Sequence, residues 1–377
     1  MMKRRNILFA LVVLLLAAFG CERRPLEGIY RSTVRVIIKC IWKVEAYPEG
    51  VTPSGVTMYF FRDGEYYTTI TTSNVDSCEV QLPVGHYKMF MITQSPEEYW
   101  RMQFDNMTSF NAASTSLRES SAAWVTRTDD EVVVENPEIV CAGVSEEFEI
   151  TTKMTEDYQY YYTNLKSLRA ARTKNKTKAE SKSGETKSEE ELWYEERVEY
   201  YTIRIPVYPQ NIVSQLWVTI YAGRADVLRS VRASTSGMAR SFELTQNITG
   251  SGKAIQIISQ WELEMDNYSD RIGHVDGIIT TFGLPDGEMP SSVRDSTLNV
   301  STLLVDNKTQ ADYVFSIGDK IQVLPPNKGY RGLYRLIFGS VTDPAIILPD
   351  VKPETGGGGF VAGVEDWEEE IEAGITL

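Results

Sequence analysis

From about residue 34 onward the chain alternates apolar and polar side chains with the period of two that half-buried strands require, and the apolar positions are mostly β-branched or aromatic. In the first half this pattern predicts strands over residues 34–42, 56–61, 66–72, 79–82 and 87–93. Arg62-Asp63-Gly64-Glu65 predicts a tight hairpin turn, because Gly64 supplies the positive φ that such a connection needs. Leu82-Pro83 closes one strand, Gly85 turns the chain, and Tyr87 opens the next. In a Greek-key sandwich a Tyr at that place can send its hydroxyl back to the backbone just upstream, forming a tyrosine corner.

Strand patterns return over residues 198–207, 213–221, 227–233, 242–244, 254–263, 275–282, 298–305, 313–317 and 330–338, enough for a second sandwich. Its expected central strand is entered through Ile212 and Val213 and sets Leu216, Val218 and Ile220 on one face. Between the halves, residues 164–192 carry Lys166, Arg169, Arg172, Lys174, Lys176, Lys178, Lys182 and Lys187, then Glu189, Glu190 and Glu191. So little apolar surface cannot offset ordering entropy, which predicts a solvated, mobile linker. After the four glycines at 356–359, Trp367, Ile371, Ala373, Ile375 and Leu377 fall on odd positions against acidic or polar even ones. This reads as an amphipathic strand able to exchange between chains, with a helix through Val364, Trp367, Ile371 and Ile375 as the competing reading.

At the N-terminus, Lys3, Arg4 and Arg5 precede an uncharged apolar run over residues 7–19, followed by Ala18-Phe19-Gly20-Cys21. A run of about 13 residues is shorter than the ~20 that a spanning helix needs. It reads as a cleavable signal ending in a lipobox, with a lipid on Cys21 as the membrane tether. The expected organisation is a mainly β chain: signal peptide 1–20, N-terminal sandwich 21–163, charged linker 164–192, C-terminal sandwich 193–350, and hinge with acidic strand 351–377.

Charge and residue usage narrow the chemistry. A net charge of −14 argues against nucleic acid, whose binding draws on clustered Lys and Arg releasing counterions. Beyond Cys21 only Cys40, Cys78 and Cys141 remain, either buried as small hydrophobes or holding at most one disulfide. The two histidines are His86, after a Gly turn, and His274, whose His274-Val275-Asp276 spacing puts imidazole and carboxylate on one face of a strand. No spacing typical of a nucleophile, zinc, calcium or phosphate site occurs, so the reading is of a non-enzymatic chain needing no cofactor and no metal. The acidic run from Thr128 through Asp129 and Asp130 to Glu131, and that over residues 365–370, suit charged strand edges better than calcium loops. Tyr158-Gln159-Tyr160-Tyr161-Tyr162 and Glu97-Glu98-Tyr99-Trp100 raise glycan stacking as the alternative function.

The lipobox at Cys21, the Leu82-Pro83-Val84-Gly85-His86-Tyr87 turn, Val218-Thr219-Ile220-Tyr221, Ser236-Gly237-Met238-Ala239-Arg240-Ser241, Phe282-Gly283 and the Trp-containing acidic tail follow one another in an order that resembles the fimbrillin-like lipoproteins of Bacteroidota. The resemblance implies two tandem transthyretin-like Greek-key β-sandwich domains, display on the cell outer membrane, and a part in surface fimbriae or adhesion. It also implies partner subunits joined by strand addition, since an incomplete sheet offers backbone groups and apolar pockets that another strand satisfies. Arg31 and Arg35 lie near the start of the first strand, but neither is singled out as a maturation site, so the resemblance points to an anchor, accessory or tip-like member that keeps its lipid.

Overall fold

A computed structural model describes residues 33–42, 52–122, 125, 131–176, 187–325 and 329–353. The first half holds β1 (Thr33–Cys40), β2 (Val56–Arg62), β3 (Glu65–Thr72), β4 (Ser77–Pro83), β5 (Gly85–Thr93), β6 (Met102–Asp105), β7 (Ser114–Leu117), β8 (Val132–Val134), β9 (Cys141–Val144) and β10 (Phe148–Ile150). Two helices follow, α1 (Thr152–Lys176) and α2 (Glu189–Tyr200). The remainder is β11 (Ile203–Val207), β12 (Gln210–Asn211), β13 (Ser214–Gly223), β14 (Leu228–Ala239), β15 (Ser241–Glu243), β16 (Ile248–Thr249), β17 (Lys253–Ile258), β18 (Trp261–Asn267), β19 (Ile272–Thr281), β20 (Thr297–Leu304), β21 (Gln310–Ser316), β22 (Gln322–Leu324), β23 (Leu333–Phe338) and β24 (Ile346–Ile347). The architecture is mainly β, as the period-two pattern predicts.

Among the described residues, five sheets enclose three main cores. The sheet β11-β1-β4 packs Val34, Val36 and Ile38 against Met58, Phe60 and Met89 of the sheet β12-β9-β5-β2-β3. That second sheet is buried on both faces, because Tyr59, Phe61, Phe90 and Ile92 point the other way into a middle core with Phe242 and Leu117 of the sheet β16-β15-β7-β6. The third core lies between β18-β19-β13-β23-β22 and β21-β20-β14-β17-β8, and there Leu216, Val218 and Ile220 share one face as expected. The two halves are interleaved. β1 pairs with β11 and β8 with β17 in parallel, and β9 pairs with β12 and β7 with β15 antiparallel.

Local sequence accounts for several joints. Asp63 and Gly64 both take positive φ, 53° and 88°, which is the primed geometry that lets β2 and β3 pair without splaying. In β14 the register shifts between Thr235 and Met238, where Gly237 has φ of 80° and its N–H donates to Glu131. A Cβ there would sit 1.9 Å from Ser296 Oγ. The bulge lets one strand serve two cores, with Ala233 and Met238 in the third and Ala239 in the middle one.

One expectation is corrected. Residues 164–192, read as a mobile linker, are helical up to Lys176 and again from Glu189. Tyr158 and Leu165 lie one helical stripe apart and are buried with Val198 in the first core, so two well-placed apolar residues dock α1 where average composition predicts none. Arg169 and Arg172 then pair with Glu191 across the hairpin, and Arg169 and Lys187 with Glu195. A second correction is smaller: the expected strand over 254–263 is two strands, β17 and β18, which lie in different sheets. The leader with Cys21, Arg31, the stretch Thr128 to Asp130, the glycines 356–359 and the tail residues Trp367, Ile371, Ala373, Ile375 and Leu377 lie outside the described residues.

Candidate functional site

The residues singled out for chemistry do not converge. His274 sits on the outer face of the β19 sheet with Nδ1 2.7 Å from Asp266 Oδ2, and Nε2 3.5 Å from Asp276 and 3.8 Å from Glu264. Burial alone would lower its pKa, but the hydrogen bond to Asp266 and the three carboxylate charges outweigh it and raise it above the ordinary value. Asp276 is held in turn by the Thr219 hydroxyl at 2.5 Å, and the Tyr221 ring lies 5.3 Å away. This is a charged surface network, with no nucleophile placed against the imidazole among the residues it contacts. His86 lies on β5 opposite Glu149, and its N–H donates to Asp63, closing the β2–β3 corner. Among the described residues no group of three or more His, Cys, Asp or Glu side chains is arranged to hold a metal ion.

Among the described residues, Cys40, Cys78 and Cys141 are all buried. Burial pushes the Cys40 thiol up to about 12 and the Cys78 thiol up to about 11, which keeps both protonated and unreactive. Cys40 Sγ lies 3.6 Å from Met91 Sδ within the first core. The three side chains therefore act as small hydrophobes.

The strand edges differ in how well they are guarded. On the edge strand β18, Glu262, Glu264 and Asp266 ward off pairing, and β11 carries Pro206, which has no N–H to donate. β21 differs. It is seven residues long, pairs only with β20 among the described residues, and carries Asp312 as its one charged side chain. Val314 is 68% exposed, while Tyr313 and Phe315 lean on the third core, with the Phe315 ring 4.5 Å from that of Phe338 on β23. A short turn, Gly318–Lys320, carries the chain from β21 across to β22, another edge, where Val323 is also exposed. Two lightly guarded edges thus flank the same side of the sandwich, an arrangement suited to accept an added strand. Sequence pattern marked residues 313–317 as a strand; that its outer edge is bare depends on sheet order, which alternation does not encode.

The aromatic clusters also resolve. Tyr99 is buried and donates to the Thr93 carbonyl at 2.7 Å, whereas Trp100 stands exposed beside it. Tyr160 and Tyr161 belong to α1 and make ring contacts with each other, and Tyr161 also meets Trp193, Tyr194 and Tyr201. Tyr160–Tyr161 at 86° and Tyr161–Trp193 at 67° meet edge-to-face, whereas Tyr161–Tyr201 and Tyr158–Tyr162 are stacked on each other at 12° and 13°, with Tyr158 buried.

A family model described as a domain of unknown function, DUF5119, matches residues 20–259. No curated protein matches the chain. Among solved structures, the chain is similar to a putative adhesin from Bacteroides ovatus ATCC 8483, with TM-score 0.49 and 15% identity over 89% of this chain and 99% of that one. It is also similar to the fimbrial anchor protein Mfa2 from Porphyromonas gingivalis, with TM-score 0.43 and 13% identity over 81% of this chain and 90% of that one. For the tip fimbrial protein Mfa3 from Porphyromonas gingivalis with C-terminal truncation, the TM-score is 0.32 and the identity 10%, covering 81% and 94% of the two chains.

Proposed function

The chain belongs to the family described as a domain of unknown function, DUF5119, and from that premise we propose that it is a non-enzymatic, lipid-anchored outer-membrane protein of fimbrial type, an anchor, accessory or tip-like subunit that joins its partners by strand addition. The observation that carries this reading is β21, a long edge with one charge and an exposed Val314, next to the equally bare β22. A backbone edge of this kind gives an incoming strand its hydrogen bonds, and the half-buried Tyr313 and Phe315 beside it give apolar contacts. The Cys21 lipobox supports anchoring, and the alternating sequence of the tail through Trp367, Ile371, Ala373, Ile375 and Leu377 is of the kind that such an edge receives as an added strand from another subunit. The division into modules 21–163 and 193–350 belongs to the same reading, with the α1–α2 hairpin, Thr152 to Tyr200, overlapping the end of one and the start of the other.

The test is co-purification from intact cells after cross-linking. The native chain should retain a surface protein partner, and Val314→Lys, which sets a charge on the pairing edge, should lose it while the fold is kept. An unchanged set of partners in Val314→Lys would remove β21 from the assembly.

A further inference from the structure

The α1–α2 hairpin carries a continuous run of touching rings made of Tyr160, Tyr161, Trp193, Tyr194, Tyr200 and Tyr201. Tyr161, Tyr194 and Tyr201 are partly covered, whereas Tyr160 is 61% exposed, Trp193 44% and Tyr200 72%. Large amphipathic rings grouped on one solvent-facing surface mark a contact site. Tyr and Trp suit the boundary between water and lipid headgroups, where the ring meets apolar chains and the hydroxyl or indole N–H stays hydrated.

The position of the hairpin in the chain selects the occupant. Gln159 Nε2 donates to the carbonyl of Thr33 at 2.7 Å, and Arg35 contacts Glu199 at 3.3 Å, so the base of the hairpin is fixed to the start of β1. Cys21 precedes Thr33 by about 12 residues, which even fully extended reach about 40 Å. A helix of 25 residues is about 37 Å long, so the whole hairpin stays within the reach of a lipid-bearing Cys21. We propose that this aromatic face rests in the headgroup layer of the same bilayer that holds the Cys21 lipid. The proposal rests on the anchored reading given above.

Charge decides which headgroups. Glu191, Glu195 and Glu199 are matched by Arg169, Arg172, Lys187, Arg35 and Arg204, and Arg197 lies over the Trp193 ring at 5.4 Å. Elsewhere on the hairpin Glu156, Asp157, Glu189, Glu190 and Glu196 are offset by Lys153, Lys166, Lys174 and Lys176, so the hairpin as a whole is close to neutral. The contact is therefore made by rings with zwitterionic headgroups and is insensitive to salt, in contrast to a polybasic patch on anionic lipid. The exposed rings Tyr160 and Trp193 meet their neighbours edge-to-face, at 86° and 80°, which disfavours a glycan stacked across them.

The experiment uses the mature, lipid-bearing chain extracted from membranes and reconstituted in phosphatidylcholine and phosphatidylethanolamine vesicles whose acyl chains carry bromine near the headgroup. Tryptophan fluorescence should be quenched in the native chain, with most of the quenching lost in Trp193→Phe and in Tyr160→Ser/Tyr200→Ser. It should be unaffected in Trp100→Phe and by added salt. Quenching that survives Trp193→Phe, in protein whose intact mass includes the Cys21 lipid, would overturn the membrane contact and leave the anchor standing. A mass lacking that lipid would remove the premise and the contact together. Protection of the face that appears only as protein concentration rises would replace the bilayer by a second copy and also overturn the proposal.

Discussion

The Tyr87 hydroxyl donates to the Pro83 carbonyl oxygen at 2.9 Å, while its ring lies fully buried, stacked 5.5 Å from Phe148 and edge-on to Tyr67. The bond locks the end of β4 to the start of β5 across the Gly85 turn, so a single side chain ties two sheets of the first sandwich together.

Removing that oxygen keeps the ring and strips the Pro83 carbonyl of its partner. Tyr87→Phe should therefore cost about 1–2 kcal/mol, the range for a part-buried carbonyl losing its hydrogen bond. Urea unfolding would show a lower midpoint with an unchanged slope; an unchanged midpoint would make the corner irrelevant to stability.

His274 makes stability depend on pH in a definite direction. Its folded-state pKa is raised, through Asp266 first and then the charges of Asp276 and Glu264, so its contribution is fully present below the unfolded value of about 6.5 and is lost as pH rises through the folded value. His274→Gln should lower the melting temperature at acidic pH and converge with the native chain at alkaline pH. Equal differences at both ends of the range would contradict the network.

The helical hairpin depends on the buried carboxylate of Glu191, which Arg172 contacts at 2.8 Å and Arg169 at 3.5 Å. Arg172→Ala leaves that charge half-compensated. Because Arg172 itself is partly exposed, the cost should be about 1–2 kcal/mol, below the figure for a fully buried pair. Trypsin should then cut within 164–176 before it cuts the sheets, and a digestion pattern unchanged from the native chain would argue that Leu165 and Tyr158 hold the hairpin alone.

Thiol reactivity offers the simplest check on the first core. With Cys40 and Cys78 held at pKa values of about 12 and about 11 by burial, a chromogenic disulfide at pH 8 should leave the native thiols unmodified and label Cys40, Cys78 and Cys141 after denaturation. Rapid labelling of the folded chain would mean that the core opens readily.

Legibility followed the physics of each signal. The alternating strands, the Asp63-Gly64 turn, the Tyr87 corner and the shared face of Leu216, Val218 and Ile220 are dictated by neighbours within a few residues, and pattern alone found them. The hairpin was missed because its docking depends on Tyr158 and Leu165 in a stretch otherwise rich in Lys, Arg and Glu. The candidate edge at β21 was missed as an edge for a different reason. Its strand character is local, but its lack of a second partner is a property of the sheet order β21-β20-β14-β17-β8. Likewise the ring surface around Trp193 and Tyr200 is not legible in the sequence, because only the folded hairpin brings Trp193 and Tyr201, the neighbour of Tyr200, against Tyr161.

The parallel pairing of β1 with β11 bears on the order in which the molecule can be built. Val36 meets Ile203 and Ile38 meets Ile205, contacts that close a very long stretch of chain, whereas β4, the other neighbour of β1, lies close by in sequence. Contacts of that span come late, since the chain entropy lost in closing them is met before they return anything. A nascent chain that has not yet yielded residue 207 thus carries β1 with one flank bare, and the first sandwich, although encoded first, waits on the middle of the chain for its completion.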